Sequence, residues 1–234
     1  FKNDLLNFND GRPLSWEQEI LVSKSLETIK WLSSHNVKFE PIYSRQSFIK
    51  DGKHIFWGGL TLASENEGVG LFNQELSAFL SLGGKIFYEN AVTDLFFEDN
   101  VVKGIYIGDD KIESDAVILA SGGFEANDDL RKSFIGSNWL KAKVRGTPYN
   151  TGDGLKMALD IGAIKHGLYD GCHATPMDLH MKNYGGLDLE PKERKNYRKI
   201  CYFLGIMINA KGQRFLDEGK NFRNYTYAQY GRKV

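Results

Sequence analysis

Five consecutive apolar residues, Ala116-Val117-Ile118-Leu119-Ala120, run without a spacer into Ser121-Gly122-Gly123. A strand that is apolar on both faces suits the inside of a parallel sheet covered by helices. A glycine pair at its carboxyl end lets the backbone come close to a ligand, at the edge where open α/β sheets bind their cofactors. The same residues also suit a tight turn, so ligand edge and turn both stand at this point. Around this segment the hydrophobic period alternates. Ser15 and Gln18 form a capping-box pattern ahead of Leu21, Val22, Leu26, Ile29 and Leu32, which predicts a helix from 16 to about 34. Leu71, Phe72, Leu76, Phe79 and Leu80 predict a second helix, stopped by Gly83-Gly84. Short β-branched and aromatic runs predict strands at 85–88, 92–98, 101–107 and 116–120, with turns at Asp99-Asn100 and Asp109-Asp110. A helix follows from Gly154 through Ile161, ended by Gly162. A strand at 202–208 then turns at Asn209-Ala210-Lys211-Gly212. Residues 50–70, with five glycines, read as irregular loop.

The rest of the composition removes whole classes of function. Thirty Lys+Arg balance thirty Asp+Glu over 234 residues, which leaves no broad field to hold a nucleic acid or an anionic membrane surface. With 41% hydrophobic residues the chain is globular rather than disordered. Cys172 and Cys201 lie in no CxxC or His-rich setting, so neither a metal site nor a redox motif is expected, and a reducing cytoplasm is the expected compartment. The longest nearly uninterrupted apolar stretch, 201–208, is far short of the roughly 20 residues that cross a bilayer. No transmembrane segment is expected. The opening at Phe1, with no signal pattern, reads as a cut inside a longer chain.

Thirty residues after the glycine pair, Asn150-Thr151-Gly152-Asp153-Gly154 opens a helix. Thr151 or Asp153 can cap it, and its free N–H groups suit an anion or a hydroxyl. A carboxylate repels phosphate, so a cofactor contact from Asp153 would be to hydroxyls of a ribityl or ribose chain. The cap reading stands beside it.

Four segments in order carry a resemblance: Val92-Thr93-Asp94-Leu95; the run from Ala116 through Ser121-Gly122-Gly123-Phe124-Glu125-Ala126-Asn127; Thr151-Gly152-Asp153-Gly154-Leu155; and Gly212-Gln213-Arg214-Phe215-Leu216-Asp217-Glu218. Together they resemble the FAD-dependent flavoproteins of the succinate dehydrogenase and fumarate reductase family. The runs 143–154, 171–176 and 217–227 are similar to the tricarballylate dehydrogenases within it. The resemblance implies an α/β fold, with a partial FAD-binding, glutathione-reductase-like Rossmann domain at 1–170 and the start of an α+β substrate-capping domain at 171–234. The family's N-terminal GxGxxG unit does not occur in the sequence.

The resemblance also implies roles. Val92 borders the adenine, Ala120, Ser121, Gly122 and Gly123 line the dinucleotide, Asp153 contacts the flavin's ribityl side, and Thr151 and Gly152 bind the cofactor. His173 takes the place of a histidine that donates a hydrogen bond to substrate, within His173-Ala174-Thr175-Pro176 rather than the family's His-Pro-Thr. Arg223, five residues after Glu218, takes the place of the proton-transferring arginine, with binding of a substrate carboxylate as its alternative. Arg214 and Glu218 read either as part of the site or as a structural ion pair anchoring the hairpin. The implied reaction is dehydrogenation of a small carboxylate, tricarballylate to cis-aconitate, with an electron-transfer partner for the flavin. Fumarate reduction, 3-ketosteroid dehydrogenation and a non-catalytic binding module are the other readings.

Overall fold

The computed structural model describes residues 1–8, 11–43, 47–56, 62–167, 169, 175–198, 205–215 and 217–218. The chain divides into two compact units, Phe1–Tyr88 and Glu89–Val234.

The first unit contains helix α1 (Lys2–Phe8), helix α2 (Trp16–Ser34), strands β1 (Phe39–Pro41), β2 (Ser47–Lys50), β3 (Lys53–Phe56) and β4 (Leu62–Ser64), and helix α3 (Glu67–Ser81). The capping box forms as its pattern predicts: Ser15 accepts from the Gln18 N–H, and the Gln18 side chain accepts from the Ser15 N–H at 3.0 Å. Strands β1 and β4 pair antiparallel, Phe39 opposite Ser64. They are tied to α3 where the Lys38 N–H donates to Gln74 Oε1 at 2.6 Å. The expectation of irregular loop over 50–70 is corrected by β2 and β3, an antiparallel hairpin turning at Asp51-Gly52. Both turn residues have positive φ, 51° and 73°, the geometry that Asp-Gly favours and that matches the twist of the flanking strands.

The second unit contains strands β5 (Asp94–Glu98), β6 (Val101–Ile107) and β7 (Asp110–Glu113), helix α4 (Asp128–Phe134), a 3-10 turn (Ser137–Lys141) and helix α5 (Asp153–Asp160). The three strands form an antiparallel meander. Its first turn is the predicted Asp99-Asn100, with φ of 52° and 62°. Its second turn is Gly108-Asp109, because Asp110 already pairs with Ile107. Leu95 and Phe96 are buried, and α5 packs beside β5 with Met157 inward.

Two predicted strands do not form. Residues 85–88 and 116–120 have no strand assignment, and every strand pairing among the described residues is antiparallel. Ile118 is 90% exposed. Apolar side chains state which environment a segment suits, but a strand also needs a neighbour to receive its N–H and C=O groups. Among the described residues 116–120 has no ladder partner.

Candidate FAD-binding site

The two segments singled out as cofactor-binding come together in the second unit. Gly154, at the first turn of α5, is buried so closely against Ser121 that a Cβ there would collide with the Ser121 hydroxyl and meet Leu119 Cβ at 3.8 Å. Gly152, also buried, has φ +83°, and a Cβ there would stand 2.6 Å from Leu130 Cδ1. These glycines are required by close approach and by backbone conformation. They lay the start of α5 directly along residues 119–124.

A hydrogen-bonded set fixes that arrangement. The Asn127 side chain caps α4 by accepting from the Leu130 N–H at 3.0 Å, and its amide donates to Thr151 O at 3.0 Å. The Ala126 N–H donates to Asn150 O at 2.9 Å. Asn150 Nδ2 donates to Glu125 Oε1 at 2.6 Å. Asn127, Asn150 and Glu125 carry no motif of their own. The legible signal was Asn127 three residues before Leu130, an N-cap spacing.

Neither candidate cap of α5 caps it. Gly152 is the N-cap and offers no side chain, while the Thr151 hydroxyl donates to Asp153 Oδ2 at 2.8 Å. Asp153 lies exposed at the first turn, where a carboxylate is favoured by the helix dipole. Ala120, Ser121, Gly122 and Gly123 are exposed beside it. Gly122 has φ +82°, and a Cβ on it would stand 2.6 Å from Asn150 Oδ1; a Cβ on Gly123 would stand 2.8 Å from Glu125 Oε2. The glycine pair therefore also makes room for two side chains of its own chain. Val92, half-buried two residues ahead of β5, lies outside this hydrogen-bonded set.

The donor set suits one part of a dinucleotide. Exposed, side-chain-free backbone at 122–123 would accept close approach, and the Asp153 and Glu125 carboxylates would favour hydroxyl donors over phosphate oxygens. These groups would suit the hydroxyls of a ribityl or ribose chain rather than a pyrophosphate.

The hairpin that follows in the chain pairs Arg214 with Glu218. The Asn209 N–H donates to Gln213 O at 2.9 Å, closing the predicted turn, and Ile208 bridges Arg214. Glu218, 3% exposed, accepts from Arg214 Nε at 2.8 Å through Oε2 and from the Met207 N–H at 2.5 Å through Oε1. The Arg214 guanidinium, and next the Met207 N–H, lower its pKa to about 2. The pair is a structural anchor for the hairpin. A carboxyl depressed in the folded state contributes stability that is complete above about 4.5 and is lost as pH falls toward about 2. Thermal unfolding across that window should show a steeper acid slope in the parent than in Glu218→Gln; parallel slopes would remove the anchor's role.

His173 and Arg223 lie outside the described residues. Among the described residues no helix is long and apolar enough to cross a membrane, and no group of His, Cys, Asp or Glu is placed to hold a metal ion.

Residues 17–232 match the family model described as FAD binding domain. The chain belongs to this FAD-binding family. FAD is accordingly the cofactor indicated. The chain is 29% identical over 159 residues to the 3-oxosteroid 1-dehydrogenase of Mycolicibacterium smegmatis, covering 64% of this chain and 26% of that protein. It is 35% identical over 126 residues to a fumarate reductase (cytochrome) of Shewanella frigidimarina, covering 50% of this chain and 19% of that one. It thus spans about a quarter or less of the length of these two relatives. Among solved structures, the open conformation of a flavocytochrome c3 fumarate reductase superposes with a TM-score of 0.60 at 20% identity, over 91% of this chain and 35% of that one. This likeness establishes the fold, mixed helix and strand of the FAD-binding type.

Proposed function

We propose that the intact protein is an FAD-dependent oxidoreductase that dehydrogenates tricarballylate to cis-aconitate, residues 1–170 belonging to its FAD-binding domain and 171–234 opening its substrate-capping domain. The observation that carries the flavin part is the seating of Gly152, Asp153 and Gly154 along the exposed backbone of 121–123. The tricarboxylate rests on the similarity of the runs 143–154, 171–176 and 217–227 to tricarballylate dehydrogenases. FAD, when bound, supplies a two-electron acceptor for the hydride at flavin N5. Asp153 and the backbone of 121–123 hold the cofactor's hydroxyl-bearing chain. His173 donates a hydrogen bond to a substrate carboxylate, orienting the carbon chain. Arg223 takes the proton from the carbon next to the one that gives up hydride, so that one C=C bond replaces two C–H bonds. An electron-transfer partner reoxidises the flavin, and the two unpatterned cysteines support a cytoplasmic setting.

Anaerobic tricarballylate added to the purified, FAD-loaded protein should bleach the visible flavin band and yield cis-aconitate in equal amount. Bleaching by a 3-ketosteroid instead, or flavin reoxidation by fumarate, would move the substrate to a steroid or to fumarate. A colourless protein that takes up no FAD would leave a non-catalytic binding module.

A further inference from the structure

The function proposed above uses Asp153 and leaves Glu125 and Asn150 unassigned, although both meet the glycine pair. Asn150 Nδ2 donates to Glu125 Oε1 at 2.6 Å. The second oxygen of each side chain lies against a glycine: Asn150 Oδ1 is 2.6 Å from the Cβ position of Gly122, and Glu125 Oε2 is 2.8 Å from that of Gly123. A methyl group at either glycine would push its oxygen aside, so the absence of side chains at 122–123 is what seats the pair. Glu125 is exposed, as Asp153 is, and Asn150 is half-buried.

The two segments are already joined without this bond. The Ala126 N–H donates to Asn150 O at 2.9 Å, and Asn127 Nδ2 donates to Thr151 O at 3.0 Å. What the side-chain bond adds is direction. An exposed glutamate otherwise samples several rotamers, and here one of its oxygens is held while the other stays beside the Gly123 backbone. The Asn150 amide does this without bringing a positive charge, so the carboxylate remains a strong acceptor for a hydroxyl and repels phosphate.

We propose that Glu125 is a cofactor-binding residue that accepts a hydroxyl of FAD through Oε2, and that Asn150 is its positioning residue, holding the carboxylate at the glycine pair. This rests on the placement of the hydroxyl-bearing chain along 121–123 given above. The test titrates FAD into the FAD-free intact protein and follows flavin fluorescence. Glu125→Gln keeps the shape and the acceptor for Asn150 but puts an amide nitrogen where Oε2 stood. Its FAD dissociation constant should rise about tenfold, the loss of one charge-assisted hydrogen bond. Exchange of the Ala126 amide and the thermal midpoint of the FAD-free protein should stay parental, which separates a contact from a structural tie. Asn150→Asp sets two carboxyl groups at hydrogen-bond distance, and such groups resist ionising together. At about pH 8 they repel, and the FAD constant should exceed the parent's about tenfold; by about pH 5 a shared proton restores the bond, and the ratio to the parent should fall toward one. Asp153 is common to both proteins, so the ratio isolates the new pair. If Asn150→Asp does not fold, Asn150→Ala must raise the constant, and adding it to Glu125→Gln must raise it no further. A parental FAD constant in Glu125→Gln overturns the proposal, as does a ratio for Asn150→Asp that does not change with pH. Asp153→Ala, measured alongside, tells two failures apart: if it weakens FAD binding and Glu125→Gln does not, the cofactor edge stands without Glu125, and if neither does, the edge at 121–123 itself fails.

Discussion

In the intact protein, Arg223→Lys is expected to lower turnover about a hundredfold or more, the scale of a lost acid–base contribution, while flavin content and tricarballylate binding survive. Arg223 is the one arginine between Glu218 and Thr226, and it follows a chain position fixed firmly by the buried Glu218 carboxylate and Arg214. A guanidinium is protonated in water. To take a proton it needs a polar relay to pass that proton on and a pocket that disfavours further positive charge. Lysine keeps the charge but loses the planar fork and changes the proton affinity, so it separates proton transfer from carboxylate binding. A variant with parental turnover and only a raised substrate requirement would make Arg223 a carboxylate clamp.

Gly122→Val should give a folded protein stripped of FAD, seen as loss of the visible flavin band with the far-ultraviolet circular dichroism retained. The native φ of +82° and an Asn150 oxygen 2.6 Å from a Cβ position both oppose a branched side chain. Such backbone strain costs on the order of 1–3 kcal/mol. Adding Asn150→Ala relieves the contact but leaves the branched side chain on the proposed cofactor edge, so the double variant should remain colourless. Full flavin content and activity in Gly122→Val would contradict that edge.

Local chemistry made much of this molecule legible. The Ser15/Gln18 box, the Asp99-Asn100 turn and the Asn209–Gly212 turn follow from side-chain-to-backbone hydrogen bonds and left-handed φ within a few residues, and all three form. What needed a partner distant in sequence was not legible. The run 116–120 is apolar enough for a buried strand, yet pairing is a property of two segments and its sequence names only one. The β2–β3 hairpin was hidden because the glycines around it suggested loop, although Asp51-Gly52 carried the hairpin signal. At the candidate site, the glycines and Asp153 were visible from spacing and resemblance. The contacts of Asn127, Asn150 and Glu125 across the site were not, because each joins residues 24 or 25 positions apart.

Residues 121–123 and the start of α5 are proposed to hold the hydroxyl-bearing part of FAD, and the FAD dissociation constant of Asp153→Ala in the intact protein measures that hold. A hydrogen bond to a charged group contributes about 1.5–3 kcal/mol, so the constant should rise about tenfold to a hundredfold, with thermal stability of the FAD-free protein little changed because Asp153 is exposed and does not serve as the helix cap. An FAD constant equal to the parent's would contradict that role and leave Asp153 as a first-turn carboxylate held by the Thr151 hydroxyl and the dipole of α5.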